Sequence, residues 1–297
     1  MTFTPQNVPM PNRQRSLLAA VMFAILLACV GGAWWLVEVR TEQPERAGQD
    51  VLDEIRTQKL SHFWPGKSQR LYYAAHDVHG KTVGWAVISH LRTAEGFHGQ
   101  RLDSAGTEET WDLDDAATTG TYEGPTGTDG SLTQIQLKDS AATVQRVKAG
   151  LVVQRASAPA PANYIPEGLT HVVVRLVAQS GKDGMFTALL NHEALSGREL
   201  TFAIVKMKPT GRLVEVETVT QEGSLREKYV LDDGGKVTSI HAAKGSYHLT
   251  TVEGLLRVFP KDDRLRQLAR EPEYTPAPED TTAPADEPQE KEVARVH

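Results

Sequence analysis

The 297-residue chain has a single cysteine, Cys29, so no disulfide can form within it and a disulfide-stapled scaffold is excluded. Cysteine catalysis outside the apolar segment that holds Cys29 is excluded with it. There is no basic surplus, since 32 Lys and Arg stand against 38 Asp and Glu. A general nucleic-acid binder gains affinity by releasing counterions from phosphates, and this balance does not support one. Motifs that carry chemistry are also missing. The chain has no Gly-x-Ser-x-Gly elbow, no glycine spacing of the dinucleotide or phosphate-loop kind, and no Asp-x-Asp-x-Asp-Gly calcium loop. Gly124, Gly127 and Gly130 precede an expected strand rather than a helix and read as loop. A Ser-His-acid triad built from distant positions stays open. Apolar side chains are not scarce: 40% of the chain is ample for a core of one large domain or two small ones.

The charge is uneven. From Glu271 to His297 eight acids face only Lys291 and Arg295, an excess of six that equals the whole formal surplus. This stretch also holds Pro272, Pro276, Pro278, Pro284 and Pro288 and hardly any large apolar side chain. It buries too little surface to offset its ordering entropy and reads as a disordered acidic tail over 271–297.

Leu17 to Val37 is a run of 21 residues without a charge. As a helix rising about 1.5 Å per residue it spans roughly 31 Å, the hydrocarbon thickness of a bilayer. Trp34 and Trp35 lie near its far end, where indoles favour the membrane–water interface, and the arm 1–16 carries Arg13 and Arg15 with no acid. The expectation is a signal-anchor over 17–37 in a bacterial-type cytoplasmic membrane, N-terminus inside and the bulk of the chain extracytoplasmic. Leu26-Leu27-Ala28-Cys29 resembles a lipobox, so a lipoprotein anchored through Cys29 is one alternative and a cleaved signal peptide is the other.

Residues 38–64 read as a juxtamembrane linker. Within it Asp50–Leu60 has Val51, Leu52 and Ile55 on one helical face, before Phe63-Trp64-Pro65-Gly66 ends the helix. Residues 65–270 read as an extracytoplasmic, mainly β (α+β) domain: a curved antiparallel sheet with one or two packing helices. Val83, Trp85 and Val87 alternate, as do Trp111 and Leu113 with Asp112 and Asp114, and Thr133, Ile135 and Leu137 with Gln134 and Gln136. Ala149-Gly150 marks a tight hairpin, and Ala156 to Pro161 reads as an extended connector. Leu169, Val172, Val173, Leu176 and Val177 follow a helical period after Pro166, with Ser180-Gly181 as the stop. Six strands follow, between Met185 and Val252, with glycine-rich turns. A two-residue loop at Glu222-Gly223 predicts Glu217 opposite Lys228. A closing amphipathic helix over Glu253–Arg270 is interrupted near Pro260.

This order resembles the half-barrel of the LolA/LolB lipoprotein-carrier family: a long meander broken by a helix and closed by another, over roughly residues 65–260. The resemblance is one of strand order and spacing. It matches no motif and transfers no binding residue. It implies an apolar concavity that takes acyl chains, for which Trp85, Trp111, Ile135 and Phe202 are candidate lining residues; on alternating positions such residues also serve as ordinary core.

His76-x-x-His79, with His90 and His98 beyond, is the densest histidine group. The odd separation of the first two, flanking a turn, opposes a shared metal, and surface histidines are expected. Asp112 and Asp114 read as the solvent face of a strand. No catalytic residue, metal or cofactor is expected. Two functions follow. One is a membrane-anchored, non-enzymatic envelope protein whose β domain contacts a protein partner as a scaffold; the other is a binder or carrier of a lipid or acyl chain. A dry core favours the first and an open apolar cleft the second.

Overall fold

The computed structural model describes residues 12–64, 66–126, 130–190, 195–196 and 199–270. The expectations for the N-terminal arm up to residue 11 and for the acidic tail lie outside the described residues, as do the side chains of Arg13, Arg15, Trp34 and Trp35.

Helix α1 (Asn12–Gln58) runs unbroken through the uncharged segment and the expected linker, with Pro44 inside it. The short helix expected over Asp50–Leu60 is therefore the end of α1. It stops at Lys59, whose positive φ of 68° breaks the helical path immediately before α2 (Leu60–Phe63). Val51, Leu52 and Ile55 are buried, as their spacing requires. Among the described residues no helix is long and apolar enough to cross a membrane. Those apolar side chains of the uncharged segment that are described, Met22, Phe23, Ile25, Leu26, Leu27 and Val30, are all more than half exposed.

Eight strands then form a meander: β1 (Ser68–His76), β2 (Thr82–Arg92), β3 (Gly96–Asp103), β4 (Glu108–Asp114), β5 (Gly120–Pro125), β6 (Leu132–Lys138), β7 (Ala141–Lys148) and β8 (Leu151–Pro159). After α3 (Thr170–Ser180) come β9 (Gly184–Leu189), the short pair β10 (Leu195–Ser196) and β11 (Glu199–Leu200), then β12 (Phe202–Thr210), β13 (Leu213–Val219), β14 (Ser224–Leu231), β15 (Val237–Ala242) and β16 (Gly245–Thr250). Helices α4 (Val252–Val258) and α5 (Asp263–Arg270) close the described chain, parted at Pro260.

All strands except β10 and β11 join one 14-stranded antiparallel sheet, ordered β8-β7-β6-β5-β4-β3-β2-β1-β16-β15-β14-β13-β12-β9. β1 pairs with β16, so the two halves of the chain meet in its middle. The chain leaving edge strand β8 lies beside the opposite edge strand β9. There Ile165 N–H donates to Thr187 O (2.8 Å) and Thr187 N–H to Asn163 O (2.9 Å), which draws the edges of the curved sheet together. β8 itself runs to Pro159, paired with Ala141, where an unpaired connector was expected from its small residues and prolines.

Alternation decides the two faces. On the inner face α3 buries Leu169, Val172, Val173, Leu176 and Val177, each worth about 1.5–3 kcal/mol. Gly181 ends α3 in the left-handed conformation its φ of 65° demands, its N–H donating to Val177 O. Gly48 lets α1 approach β9 closely, since a Cβ there would strike the Met185 carbonyl. On the outer face α4 and α5 cover a smaller core of Tyr72, Trp85, Val87, Leu255, Leu265 and Leu268.

The β13–β14 register differs from the expected one. Glu217 faces Arg226, and Lys228 faces Glu215. The loop is Gln221-Glu222, because Thr220 N–H donates to Gly223 O (2.8 Å) and Thr220 Oγ1 accepts from Glu222 N–H (3.1 Å). Moving a two-residue loop by one position shifts every cross-strand partner by two and leaves each side chain on its face.

Candidate functional site

The inner face of the sheet encloses a cavity of about 790 Å³. Its two ends differ in chemistry. Strands β9, β12 and β13 contribute Ala188, Leu189, Val205, Met207, Val216 and Thr218, a wall apolar but for the threonine. Strands β1 to β4 contribute Tyr73, His90, Arg101, Glu109 and Trp111, the turn before α3 adds Glu167, and the first turn of α3 adds His171. The hairpin tips at Glu222 and Lys244, both exposed, form part of the rim.

His90 is 4% exposed. It follows Ala86 and Ile88 at even spacing on the inward face of β2, between two indoles. It stacks on Trp64 with ring centroids 4.1 Å apart and meets the edge of Trp111 at 5.8 Å. Neither imidazole nitrogen has a hydrogen-bond partner among the described residues. Burial, with a smaller contribution from His171, holds its pKa down at about 3, so the ring is neutral. His171 lies between Tyr73 and Tyr229 at 6.2 and 6.3 Å; burial and then the Arg101 charge lower it to about 4.

Tyr164 Oη donates to Glu167 Oε2 at 2.9 Å, and Oε1 is left without a partner among the described residues. Burial raises the Glu167 carboxyl to about 7, against the hydrogen bonds that favour its charged form. Burial alone would lower the Arg101 guanidinium, but Glu109 at 3.6 Å and weaker neighbours outweigh it, so its pKa rises. Tyr73 donates to Val237 O at 3.1 Å and Tyr229 to Glu227 Oε2 at 3.0 Å; burial raises both phenols.

The four candidate lining residues are not brought together. Trp111 lines the cavity, its indole packed against the backbones of Gly99 and Gly168, where no Cβ would fit. Ile135 is buried in the main core away from the wall, and Phe202 packs on Tyr164 at 5.9 Å. Trp85 lies on the outer face, where Nε1 donates to Asp262 Oδ2 at 2.8 Å. Trp85 and Trp111 thus face opposite sides of the sheet, because the strand pairing aligns Trp111 with Gly99 and His90, one residue out of phase with Trp85. Cys29 is an exposed free thiol on α1.

One expectation about polar residues is corrected. His90 is buried rather than superficial, since its inward position on β2 and the indoles on either side exclude solvent. His79 is exposed and His98 half-buried, its ring pairing with Asp112 at 2.9 Å. His76 meets His248 at 5.0 Å, and His248 meets His241 at 5.3 Å, a row that chain spacing does not reveal. Among the described residues no group of three or more His, Cys, Asp or Glu is placed to hold a metal ion. Sequence reasoning missed Arg101, Glu167 and His171. For His90 the usable signal was its even spacing from Ala86 and Ile88.

The fold and site define a mainly β protein built on one large antiparallel sheet, curved and compatible with a half-barrel, with helices on both faces and a cavity inside. No family model, curated protein or solved structure matches the chain.

Proposed function

We propose that the protein is a membrane-tethered cell-envelope protein whose β domain binds an apolar or amphipathic ligand, a lipid or acyl chain, without chemical turnover. The cavity carries this reading: about 790 Å³ falls within the roughly 300–1,000 Å³ of small-molecule sites, and one end is walled by aliphatic side chains. A solvent-free core would have favoured a purely structural role.

The tether rests on the uncharged run from Leu17 to Val37, on the exposed apolar side chains of α1, and on Arg13 and Arg15, which keep the N-terminus inside. Residues beyond about 38 then lie on the extracytoplasmic side. A protein-contact role is the second reading, favoured by Leu151, Val152 and Val153 on edge strand β8, which are 71%, 53% and 52% exposed.

Two measurements test the main reading. Carbonate extraction with protease protection of the full chain in bacterial cells should leave it in the membrane, its β domain cleaved only from outside. Native mass spectrometry of residues 43–270, exported and purified without detergent, should show a reproducible added mass of a lipid or fatty acid. A bare polypeptide mass would shift the case to the protein-contact reading.

A further inference from the structure

We propose that the tip of the β7–β8 hairpin is a membrane-contact surface for an anionic phospholipid bilayer, its aliphatic side chains entering the head-group layer and its cations meeting the phosphates. The inference lies outside the cavity and takes from the proposed function only the tether.

Three observations carry it. First, the tip is apolar and exposed on both faces. Leu151, Val152 and Val153 are consecutive and 71%, 53% and 52% exposed, although successive strand residues point to opposite sides of a sheet. The pairing sets Leu132, also exposed, beside Val147, and Val147 beside Val152, so an aliphatic row crosses β6, β7 and β8. Contiguous exposed apolar surface of this kind marks an interaction site.

Second, the charge around it has one sign. Strands β6, β7 and β8 contain no acid, in a chain where acids outnumber bases. They carry Lys138, Arg146, Lys148 and Arg155, of which Lys148 and Arg155 are exposed and Arg146 is half-buried. Lys148 stands directly opposite Leu151 at the turn. Asp139 lies in the β6–β7 turn, at the other end of these strands. Aliphatic side chains flanked by Lys and Arg complement a surface with an apolar interior and anionic heads.

Third, the edge is guarded against the partner that a bare strand usually invites. Arg146 pairs with Gln154 and Val147 with Val152, which leaves Val153 bulged out of the ladder, and Pro159 ends the strand. A bulge, a proline and basic side chains are the devices that blunt an edge against strand addition. A bilayer needs only the side chains, so the surface on which a protein-contact role would rest suits lipid better. The distance allows it. Gly48 packs on β9 eleven residues past Val37, about 16 Å of helix, so the β domain stays close to the bilayer that holds the tether.

The test uses the full chain in nanodiscs, either phosphatidylcholine alone or an equal mixture with phosphatidylglycerol. Cys29→Ser removes the only cysteine, and Val152→Cys then carries a polarity-sensitive fluorophore. A matched chain carries it at Val78→Cys, in the β1–β2 turn beside Asp77, where the parent valine is 66% exposed. In the anionic nanodiscs the Val152 label should shift to the blue and be quenched by nitroxide-bearing lipid, while the Val78 label stays in water. Lys148→Gln and Arg155→Gln should each cut the ratio of seated to free hairpin about five-fold. Leu151→Asp should abolish the quenching.

Equal quenching with and without phosphatidylglycerol, or equal quenching at Val78, would overturn the assignment. A blue shift without nitroxide quenching would give the patch to a protein partner or a second copy and overturn it as well. Co-elution with the nanodiscs and an unquenched Val152 label would sink this contact and leave the tether standing. A chain that did not co-elute, its label unquenched, would sink both.

Discussion

The imidazole of His90 stacks on the indole of Trp64, ring centroids 4.1 Å apart with their planes 27° from parallel. Trp64 follows directly on α2, so this contact fixes the end of the N-terminal helical segment to the centre of the inner face. It also closes His90 off from water and makes its neutrality a condition of the fold.

A pH dependence follows. Both His90 and His171 have folded pKa values below the ordinary imidazole value, at about 3 and about 4. Above about pH 6.5 both the folded and unfolded states carry neutral rings. As pH falls below that, the unfolded chain takes up protons that the folded chain refuses, so stability is lost from about 6.5 down toward the folded values. Urea midpoints between pH 7.5 and 4 should therefore drop. His90→Phe should make the drop shallower, and an unchanged slope in that variant would show that His90 is not the group responsible.

Glu167 acts with the opposite sign. Its folded pKa of about 7 lies above the ordinary carboxylate value, so between about 4.5 and 7 the folded state holds a proton that the unfolded state has released. Its contribution falls as pH rises through this window. Glu167→Gln, which cannot ionise, should gain stability over the parent chain as pH increases from 5 to 8. A stability difference independent of pH would place the raised carboxyl elsewhere.

The strand register has its own test. Glu217 and Arg226 face each other directly, with the guanidinium donating at 2.8 Å. Glu217→Lys should lower the melting temperature slightly, and adding Arg226→Glu should restore it. Rescue by Lys228→Glu instead would restore the register read from the Glu222-Gly223 signal.

Much of this architecture was legible in the chain. The helix from Leu169 was fully specified by five apolar positions and a terminating glycine, and the Ala149-Gly150 turn, where both residues take positive φ, by its glycine. What escaped were features that depend on partners distant in sequence. β3 and β5 are short of large apolar alternation because Gly99 and Gly120 make room for Trp111 and Leu113 of the neighbouring strand. Arg101 and Glu109 become neighbours only through the β3–β4 pairing, and His76 meets His248 only because β1 joins β16. The face a tryptophan takes is likewise a matter of parity across several strands, which is why Trp85 and Trp111 read as partners and lie apart.

That separation of the two tryptophans gives the sharpest mutational contrast. Trp85 is 1% exposed and holds the outer-face cover through Leu255, Leu265 and its hydrogen bond to Asp262. Trp85→Ala leaves a large void and should cost about 3–5 kcal/mol, read as a lower urea midpoint with α4 and α5 exchanging their amides faster. Gly168→Ala acts on the inner face: φ is 86° there, and the new Cβ would press on the Trp111 indole. The combined strain and overpacking should cost about 1–3 kcal/mol. Of the two, only Gly168→Ala should change ligand occupancy in native mass spectra recorded well below the melting transition. If Trp85→Ala emptied the cavity while the sheet stayed folded, the two faces would be coupled through β2, and the inner face could not be treated as a self-contained site.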